Sequence, residues 1–244
     1  MYRFDGERIL IAGGSSGVGL AAAQILSESG AEVIITGRDK MKLERAAETV
    51  GGRCLPIAFD ASDKSERENV IPIIGKIDHL VLAFSGGKGG GAFLTLSDED
   101  LHSAFESKFW GHFSFAKDFH QSLRADGSIT FISAISARAA NPGTSGLSAM
   151  NAAIEGLVKP LAVELAPLRV NAVSPGVIDT PWWDIYDAHT RQILFSQFAA
   201  QTPVNRIGKP EDIAMAIVFL IGNTFMTGTV IECDGGLRLT NQKL

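Results

Sequence analysis

The chain has few of the features that mark secreted, membrane-spanning or nucleic-acid-binding proteins. It contains two cysteines in 244 residues, and their separation forms no metal-binding spacing, so we expect Cys54 and Cys233 to be reduced thiols. Its most apolar run, IAMAIVFLI from Ile213, is far shorter than the ~20 residues that cross a bilayer. A net charge of -5 argues against the concentrated basic face that nucleic acids require. These absences predict a cytoplasmic protein without a metal site and without a membrane or nucleic-acid partner.

Short apolar strands alternate with helical patterns along the chain, and 45% of the residues are hydrophobic, enough for one sizeable core. This alternation indicates a parallel sheet covered by helices on both faces. The candidate strands are Arg8–Ala12, Glu32–Thr36, Arg53–Phe59, His79–Phe84, Ser128–Ser133, Arg169–Val173 and Val230–Cys233. The candidate helices are Val18–Ser29, Lys40–Val50, Lys64–Gly75, Asp98–Leu123, Gly146–Ala166 and Pro210–Ile221. With no linker or repeat, we predict a single α/β domain over 1–244, built on a doubly wound, seven-stranded parallel sheet.

The loop after the first strand, AGGSSGVG from Ala12, is rich in glycine and opens a helix. Glycines let backbone N–H groups approach a pyrophosphate, whose charge the helix N-terminus stabilises. The glycine spacing within a strand–helix unit therefore predicts a dinucleotide site. Its candidate residues are Gly13, Ser15, Ser16, Gly17, Val18 and Gly19.

The ends of the second and third strands carry residues that bear on the choice of cofactor. An NAD site generally has an acidic residue after the second strand, where this chain has Gly37 followed by Arg38. A guanidinium is suited to a 2′-phosphate, so we expect NADP(H) to be preferred over NAD(H). After the third strand, Asp60 and Ala61 are placed to contact adenine, although Asp60 could also cap the helix that starts near Lys64.

The whole chain resembles the short-chain dehydrogenase/reductase family of Rossmann-type proteins. The resemblance rests on AGGSSGVG, FDASD, RVNAVSPGVIDTP, GKPEDIA and TGTVIECDGG, which follow one another along its length. It implies a homo-oligomer, a dimer or tetramer, built partly from the helices Asp98–Leu123 and Gly146–Ala166. The residues that it places beside the cofactor are Ser85, Gly86, Pro175, Gly176, Ile178 and Thr180, the last two at the nicotinamide.

The catalytic positions of that family have changed in this chain. Family members use a tyrosine, a lysine four positions later, an upstream serine and an asparagine on the preceding long helix. A nearby cation is needed to bring the phenol pKa down from about 10. The resemblance puts Leu147 at the tyrosine, Asn151 at the lysine, Ala134 at the serine and Lys108 at the asparagine. Leucine donates no proton and alanine donates no side-chain hydrogen bond, so the usual mechanism is excluded.

Asparagine and lysine have exchanged places, and this exchange suggests a rearranged site. If the family geometry holds, the Lys108 ammonium reaches the space left by the usual lysine, beside Asn151, and supplies its positive charge. His112 lies on the same helical face and is the next candidate for proton transfer. The alternatives are that Lys108 is a surface or interface lysine and that His112 is a packed histidine.

Three further hydroxyls and one proline lie in this half of the chain. Ser133, Ser136 and Ser148 are close to the changed positions, but such groups more often close local hydrogen bonds, and Ser148 is expected to cap its helix. Pro160 removes a helical hydrogen bond, so we expect it to kink or interrupt the helix.

The segment 182–203 falls where family members carry a substrate-covering lid. Trp182, Trp183, Tyr186 and Phe195 could line an apolar pocket there or pack against a neighbouring subunit. The chain indicates no particular substrate. Two functions remain open: an atypical NADP(H)-dependent oxidoreductase acting on a carbonyl or alcohol, and an inactive protein that binds NADP(H) as a sensor, scaffold or non-catalytic subunit.

Overall fold

A computed structural model describes residues 2–240, in which seven strands form one parallel sheet. The strands are β1 (Arg8–Ala12), β2 (Glu32–Gly37), β3 (Cys54–Ala58), β4 (Ile77–Leu82), β5 (Leu123–Ile132), β6 (Arg169–Pro175) and β7 (Val230–Cys233). Their order is β3-β2-β1-β4-β5-β6-β7, and every neighbouring pair is parallel. The predicted sheet is confirmed, while Met1 and 241–244 of the predicted domain lie outside the described residues.

Alternation of side chains along the central strands divides the core into two layers. In β1, Ile9 and Ile11 face one layer while Leu10 and Ala12 face the other, because successive side chains of a strand point to opposite faces. All four are buried. A sheet that is apolar on both faces must be covered on both, which accounts for the near-continuous apolar strands of this sequence.

The described part of the chain contains eight α-helices, six of which cover the two faces of the sheet. They are α1 (Gly17–Glu28), α2 (Lys40–Val50), α3 (Lys64–Ile74), α4 (Asp98–Ala104), α5 (Gly111–Phe119), α6 (Ser145–Glu164), α7 (Ala188–Gln201) and α8 (Pro210–Gly222). Helices α1, α2 and α8 pack on one layer of the core, and α3, α5 and α6 pack on the other. Within residues 2–240, none of them has the length and apolar character that crossing a membrane requires.

The predicted helix Asp98–Leu123 is not one regular helix. Between α4 and α5 the chain forms a π-helical segment, Phe105–Trp110, and after α5 a 3₁₀ turn ends at Ser122. Leu123 already belongs to β5, so that strand starts earlier than predicted. A π-helical turn inserts an extra residue without changing the apolar composition, and hydrophobic periodicity therefore does not predict it.

Two other expectations are corrected. Strand β4 ends at Leu82 rather than Phe84, because the chain turns out of the sheet after Ala83 to pass beside the turn after β1. Helix α6 continues through Pro160 to Glu164, so the expected interruption is wrong, and the alternative of a kink at Pro160 stays a prediction. Pro160 and Gly156, whose carbonyl loses its helical partner, are both exposed, and water can satisfy that carbonyl.

The order of the sheet reverses between β1 and β4. The chain runs outward from β1 to β3 and then returns to β4 on the other side of β1. The carboxyl ends of β1 and β4, with the loops that follow them, therefore form the topological switch point of the sheet, where a crevice is expected. Open α/β sheets bind their ligands at such a point.

Candidate active site

The glycine-rich turn after β1 is packed too closely to hold side chains. A Cβ atom placed on Gly13, whose φ is +86°, would lie 2.6 Å from the backbone nitrogen of Phe84. A Cβ on Gly19 would collide with the carbonyl oxygen of Gly13, and one on Gly17 would lie 3.1 Å from the methyl group of Thr180. These glycines therefore let the turn, helix α1 and the loops after β4 and β6 meet at one place.

The same turn presents the N-terminus of α1 to the crevice. Ser16 is the N-cap residue, but its side chain does not cap the helix, and no acidic residue lies in the first turn of α1. The first N–H groups of a helix have no partner within it, and the helix dipole favours an anion there. This cradle fits the pyrophosphate of a dinucleotide, with the predicted Ser15 and Val18 on either side of Ser16 and Gly17.

Arg38 and Asp60 lie near one another at the ends of β2 and β3. Arg38 is exposed, as binding to a phosphate requires. Asp60 accepts hydrogen bonds from the hydroxyl and backbone N–H of Ser62 at 2.7 and 2.9 Å, and these bonds, with the charge of Arg38, lower the pKa of its carboxyl. Asp63 is the residue that caps α3, so the capping role considered for Asp60 is wrong. Ala61, beside Asp60, is partly buried.

The loop after β6 closes the crevice from the other side. A Cβ on Gly176 would lie 2.7 Å from the Cα of Asp234, so the turn that follows Pro175 is held against the end of β7. Ile178 is buried, and Thr180 reaches the glycine-rich turn at Gly17. The structure thus brings the predicted residues of this loop to the predicted residues of the turn.

The loop after β4 meets the segment that follows β6. The Ser85 hydroxyl donates to the Gly86 carbonyl at 3.1 Å, and the indole Nε1 of Trp182 donates to the same carbonyl at 3.3 Å. The second contact was not predicted, because its acceptor is a backbone atom that leaves no trace in the sequence pattern. It joins the first residues of the predicted lid to the predicted cofactor loop.

Lys108 lies in the π-helical segment and is directed at α6. Its Nζ donates to Asn151 Oδ1 at 2.7 Å and to the carbonyl oxygen of Ser133, just beyond β5, at 3.2 Å. The residue is 5% exposed, and burial lowers the pKa of its amine from 10.5 to about 8. Lys108 is therefore not a surface lysine, and the two exchanged residues are direct hydrogen-bond partners.

Asn151 extends this arrangement toward solvent. Its Nδ2 donates to Ser136 Oγ at 3.0 Å and to the Leu147 carbonyl at 2.9 Å. Because the Lys108 ammonium donates to the amide oxygen of Asn151, it polarises the amide and strengthens its N–H donors. Ser136 is only partly buried, so its hydroxyl is the outer end of a hydrogen-bonded chain that starts at Lys108.

Ser133 is engaged within the protein. Its hydroxyl donates to Glu155 Oε1 at 2.9 Å, and the other oxygen of this carboxylate accepts from Arg138 Nε at 2.8 Å. Ser133 is also buried, and a hydroxyl held in this way is not available to a substrate. Glu155 was missed from the sequence, because it lies one helix away and nothing in its local pattern marks Ser133 as its partner.

Leu147 is covered by the glycine-rich loop that follows β4. Cβ atoms placed on Gly89 and Gly90 would lie 3.7 and 3.6 Å from the ends of its side chain. Ser148 does not cap α6, since Thr144 is the N-cap residue and Ser148 lies inside the helix, with its hydroxyl 3.3 Å from that of Thr144. The predicted cap is therefore wrong, and the start of α6 offers no acid or base.

His112 is fully buried, and its environment does not suit proton transfer at neutral pH. Its Nε2 donates to the Phe84 carbonyl at 2.9 Å, which leaves an acceptor lone pair on Nδ1 without a partner in the described part of the chain. Burial, and then the charge of Lys108, lower the pKa of the imidazole to about 3. The imidazole is therefore neutral at neutral pH, and its contacts are those of a buried, packed histidine.

The predicted lid is an aromatic segment that packs on itself. A 3₁₀ turn, Pro181–Ile185, leads into α7, which contributes no buried residue. The side chain of Trp183 contacts four aromatic rings, those of Trp182, Tyr186, Phe195 and Phe198. A groove of about 670 Å³ runs along the segment, lined by Tyr186, Arg191 and Phe195 among others. Whether the segment covers a substrate stays a prediction.

A second polar cluster has the connectivity of a hydrolytic triad but no access for a substrate. His79 lies 2.8 Å from Ser128 Oγ through Nδ1 and 2.9 Å from Glu7 Oε2 through Nε2. Ser128 is 1% exposed, so this cluster only ties β4, β5 and the chain before β1 together. Across residues 2–240, no group of three or more His, Cys, Asp or Glu residues is placed to hold a metal ion, and both cysteines are free thiols.

A glycine-rich turn at the reversal point of a parallel sheet defines a Rossmann-type, dinucleotide-binding class of protein. Within it, this chain belongs to the short-chain dehydrogenase/reductase family, since residues 12–238 match the family described as Enoyl-(Acyl carrier protein) reductase. The 3-oxoacyl-(acyl-carrier-protein) reductase FabG of Thermotoga maritima is 31% identical, over 96% of this chain and 99% of that protein.

Solved structures agree with the fold. A small-chain dehydrogenase in complex with NADPH is 34% identical and superimposes with a TM-score of 0.84, over 96% of this chain and 100% of that chain. The reductase/Diels-Alderase MalC of Malbranchea aurantiaca is 28% identical with a TM-score of 0.87, over 97% of this chain and 98% of that chain. The family, the fold class and the oxidoreductase character of the relatives are thereby established.

Proposed function

We propose that this protein is an NADP(H)-dependent oxidoreductase that interconverts a carbonyl compound and an alcohol at a rearranged site. The observation that carries the proposal is the 2.7 Å contact between Lys108 Nζ and Asn151 Oδ1 beyond the carboxyl end of β5. It gives the crevice a buried cation of defined orientation. Burying a charged amine costs free energy of folding. A site that had lost its function would not be expected to retain one.

The residues that would hold the cofactor are supported by the close packing of the turn after β1. Gly13, Gly17 and Gly19 let the turn pack closely against its neighbours at the N-terminus of α1, where a pyrophosphate would bind, and the exposed Arg38 is suited to a 2′-phosphate. The relative solved with NADPH supports the same cofactor. The adenine would lie near Asp60 and Ala61. The nicotinamide, which supplies or accepts a hydride when bound, would lie against Ile178 and Thr180.

The chain's own residues would act by holding charge and orienting the substrate. The Lys108 amine, with a pKa of about 8, is mostly protonated at neutral pH and keeps its proton at Nζ between Asn151 and Ser133. Its positive charge stabilises negative charge that develops on a substrate oxygen. Asn151 transmits this polarisation to the Ser136 hydroxyl, a partly exposed donor close to the changed positions.

The lid, the assembly and the location complete the proposal. The aromatic rings around Trp183 would offer an apolar wall to the substrate. The outer faces of α5 and α6 would join subunits into a dimer or tetramer. Two free thiols, Cys54 and Cys233, support a reducing compartment such as the cytoplasm.

A second function is favoured by one specific observation. Leu147 stands at the position that the family resemblance assigns to the tyrosine, so the start of α6 carries no phenol. A protein that binds NADP(H) without turnover, as a sensor, scaffold or non-catalytic subunit, would tolerate this arrangement. The two functions share the cofactor and differ only in turnover.

The distinguishing experiment measures binding and turnover separately. NADPH binding is followed by fluorescence, and oxidation of bound NADPH is followed with ketones, aldehydes, quinones and a 3-oxoacyl thioester. We expect turnover with at least one class, and a loss of at least about tenfold in kcat for Lys108→Ala with little change in NADPH affinity. Lys64→Ala, at an exposed lysine on α3, is the matched control. Tight binding without turnover across the panel favours the second function.

A further inference from the structure

The loop after β4 is fastened at two consecutive residues. The Ala83 N–H donates to the Ala12 carbonyl at 2.8 Å, which ties the start of the loop to the end of β1. At the next residue the chain turns out of the sheet, and the Phe84 carbonyl accepts from His112 Nε2 at 2.9 Å. His112 is on α5, so this bond joins the crevice loop to a helix beneath it.

Apart from this bond, the ring nitrogens of His112 form no hydrogen bond in the described part of the chain. Its Nδ1 is buried without a hydrogen-bond partner among residues 2–240, and its ring packs edge-on against the Phe84 ring with centroids 4.5 Å apart. The Phe131 ring lies 6.1 Å away. A buried acceptor without a partner destabilises the fold, and an apolar side chain of similar size would avoid that. The polar contribution of this imidazole is therefore its bond to Phe84.

Phe84 is also the residue against which the glycine-rich turn is packed. A Cβ on Gly13 would lie 2.6 Å from Phe84 N and 2.8 Å from Phe84 Cα, so the two backbones are in direct contact. A displacement of Phe84 must be passed on to Gly13 on one side and to Ser85 and Gly86 on the other. Gly13, Ser85 and Gly86 all belong to the proposed cofactor site.

We propose that His112 is a positioning residue for NADP(H): by holding the Phe84 carbonyl, it keeps the loop after β4 and the glycine-rich turn in the arrangement that accepts the pyrophosphate. This inference rests on the proposed function, because it assumes that the crevice binds the dinucleotide. It assigns His112 a role that involves no proton transfer. The expected effect of losing the bond is a smaller fraction of molecules with the loop ready to bind.

The test compares three variants by NADPH titration and by urea unfolding. His112→Phe keeps a ring against Phe84 but removes the donor, and we expect the apparent Kd for NADPH to rise roughly fivefold to tenfold. His112→Gln places an amide N–H at a similar reach and should bind NADPH within roughly twofold of the parent. Phe119→Leu, a buried change elsewhere on α5, should lower stability and leave NADPH affinity unchanged.

The outcomes separate this inference from the function on which it rests. A parent protein that does not bind NADPH overturns both, whereas a parent that binds, with His112→Phe binding equally well, overturns only the role of His112. If the phenylalanine variant does not fold, His112→Asn replaces it, because asparagine carries the same amide as glutamine but is too short to reach the Phe84 carbonyl. Equal NADPH affinities for the asparagine and glutamine variants would then contradict the proposal.

Discussion

Lys108 is an amine that the folded protein keeps away from water, so its protonation is coupled to stability. Burial lowers its pKa from 10.5 to about 8, whereas the amine of the unfolded chain titrates at its ordinary value. Between these values the unfolded chain binds more protons than the folded one, and the free energy of unfolding rises with pH. Below about pH 8 both states are protonated, and the full cost of the buried charge is present.

This coupling is measurable. We expect the free energy of unfolding to rise by about 3 kcal/mol through Lys108 as the pH increases from about 8 to about 10.5, the two pKa values of its amine. Lys108→Met should remove this increment. Urea unfolding of both proteins over that range gives the difference, in which the other titrating groups cancel. Parallel pH dependences for the two proteins would show that the buried amine is not the cause.

The pairing of Lys108 with Asn151 could be anticipated from the sequence, and the bond of His112 could not. Two residues that exchange places at positions which lie side by side in the fold can still contact each other. The exchange of asparagine and lysine therefore identified Lys108 as a candidate in the sequence. The partner of His112 is a backbone carbonyl, and every residue has one. Side-chain chemistry alone therefore pointed to proton transfer, whereas burial assigns the imidazole to a hydrogen bond.

At the scale of elements, the end of β2 is where cofactor choice can be altered. A Cβ placed on Gly37 meets nothing closer than the Ser15 hydroxyl at 3.7 Å, which is an ordinary contact. A carboxylate can therefore be introduced beside the glycine-rich turn without moving the strand. It would accept bonds from ribose hydroxyls and repel a 2′-phosphate.

We expect Gly37→Asp to weaken NADPH binding by roughly tenfold to a hundredfold and to improve NADH binding. Arg38→Ala should weaken NADPH binding while leaving NADH nearly unchanged. Titration of both cofactors gives the ratio of the two Kd values for each variant, with Arg45→Ala, at an exposed arginine farther along α2, as the control. A ratio that stays constant in all variants would contradict the assignment of the 2′-phosphate to this turn.

The bounds of strands and helices could be predicted where one hydrophobic period holds throughout the element. The bounds of β1 and β7 match the apolar runs that predicted them, because both strands are short and end at clear turns. The structure of the region from Asp98 to Leu123 could not be predicted in this way, because its π-helical segment breaks the period that a regular helix would keep. Lys108 sits in that segment, so the departure from regularity coincides with the candidate site.

At the scale of the whole molecule, one outer face of the protein is aromatic. Phe109, Trp110 and Phe113 contact one another along the π-helical segment and α5, and Trp110 is 47% exposed. A groove of about 310 Å³ adjoins them between α5 and α6, lined by Phe113, Ala116, Lys117, His120, Leu161, Glu164 and Leu165. An exposed aromatic patch of this kind is typical of an interface between subunits.

We expect light scattering to give a mass two or four times that of the 26.0 kDa chain. Trp110→Glu should shift the assembly toward the monomer, raising its dissociation constant at least roughly a hundredfold, because a charge would be buried in the interface. Ile73→Glu, at an exposed residue of α3, is the control and should leave the assembly intact. A monomeric parent, or equal masses for parent and Trp110→Glu, would contradict this interface.

Leu147 and the loop that covers it are sterically coupled. Cβ atoms added to Gly89 and Gly90 would be in ordinary contact with the ends of the Leu147 side chain, so a larger ring at position 147 would extend into the space beside this loop. The side chain at position 147 and the residues at 89 and 90 therefore share one space, and a change in one alters the room left for the other. Attempts to introduce a phenol at this position should therefore vary the loop at the same time.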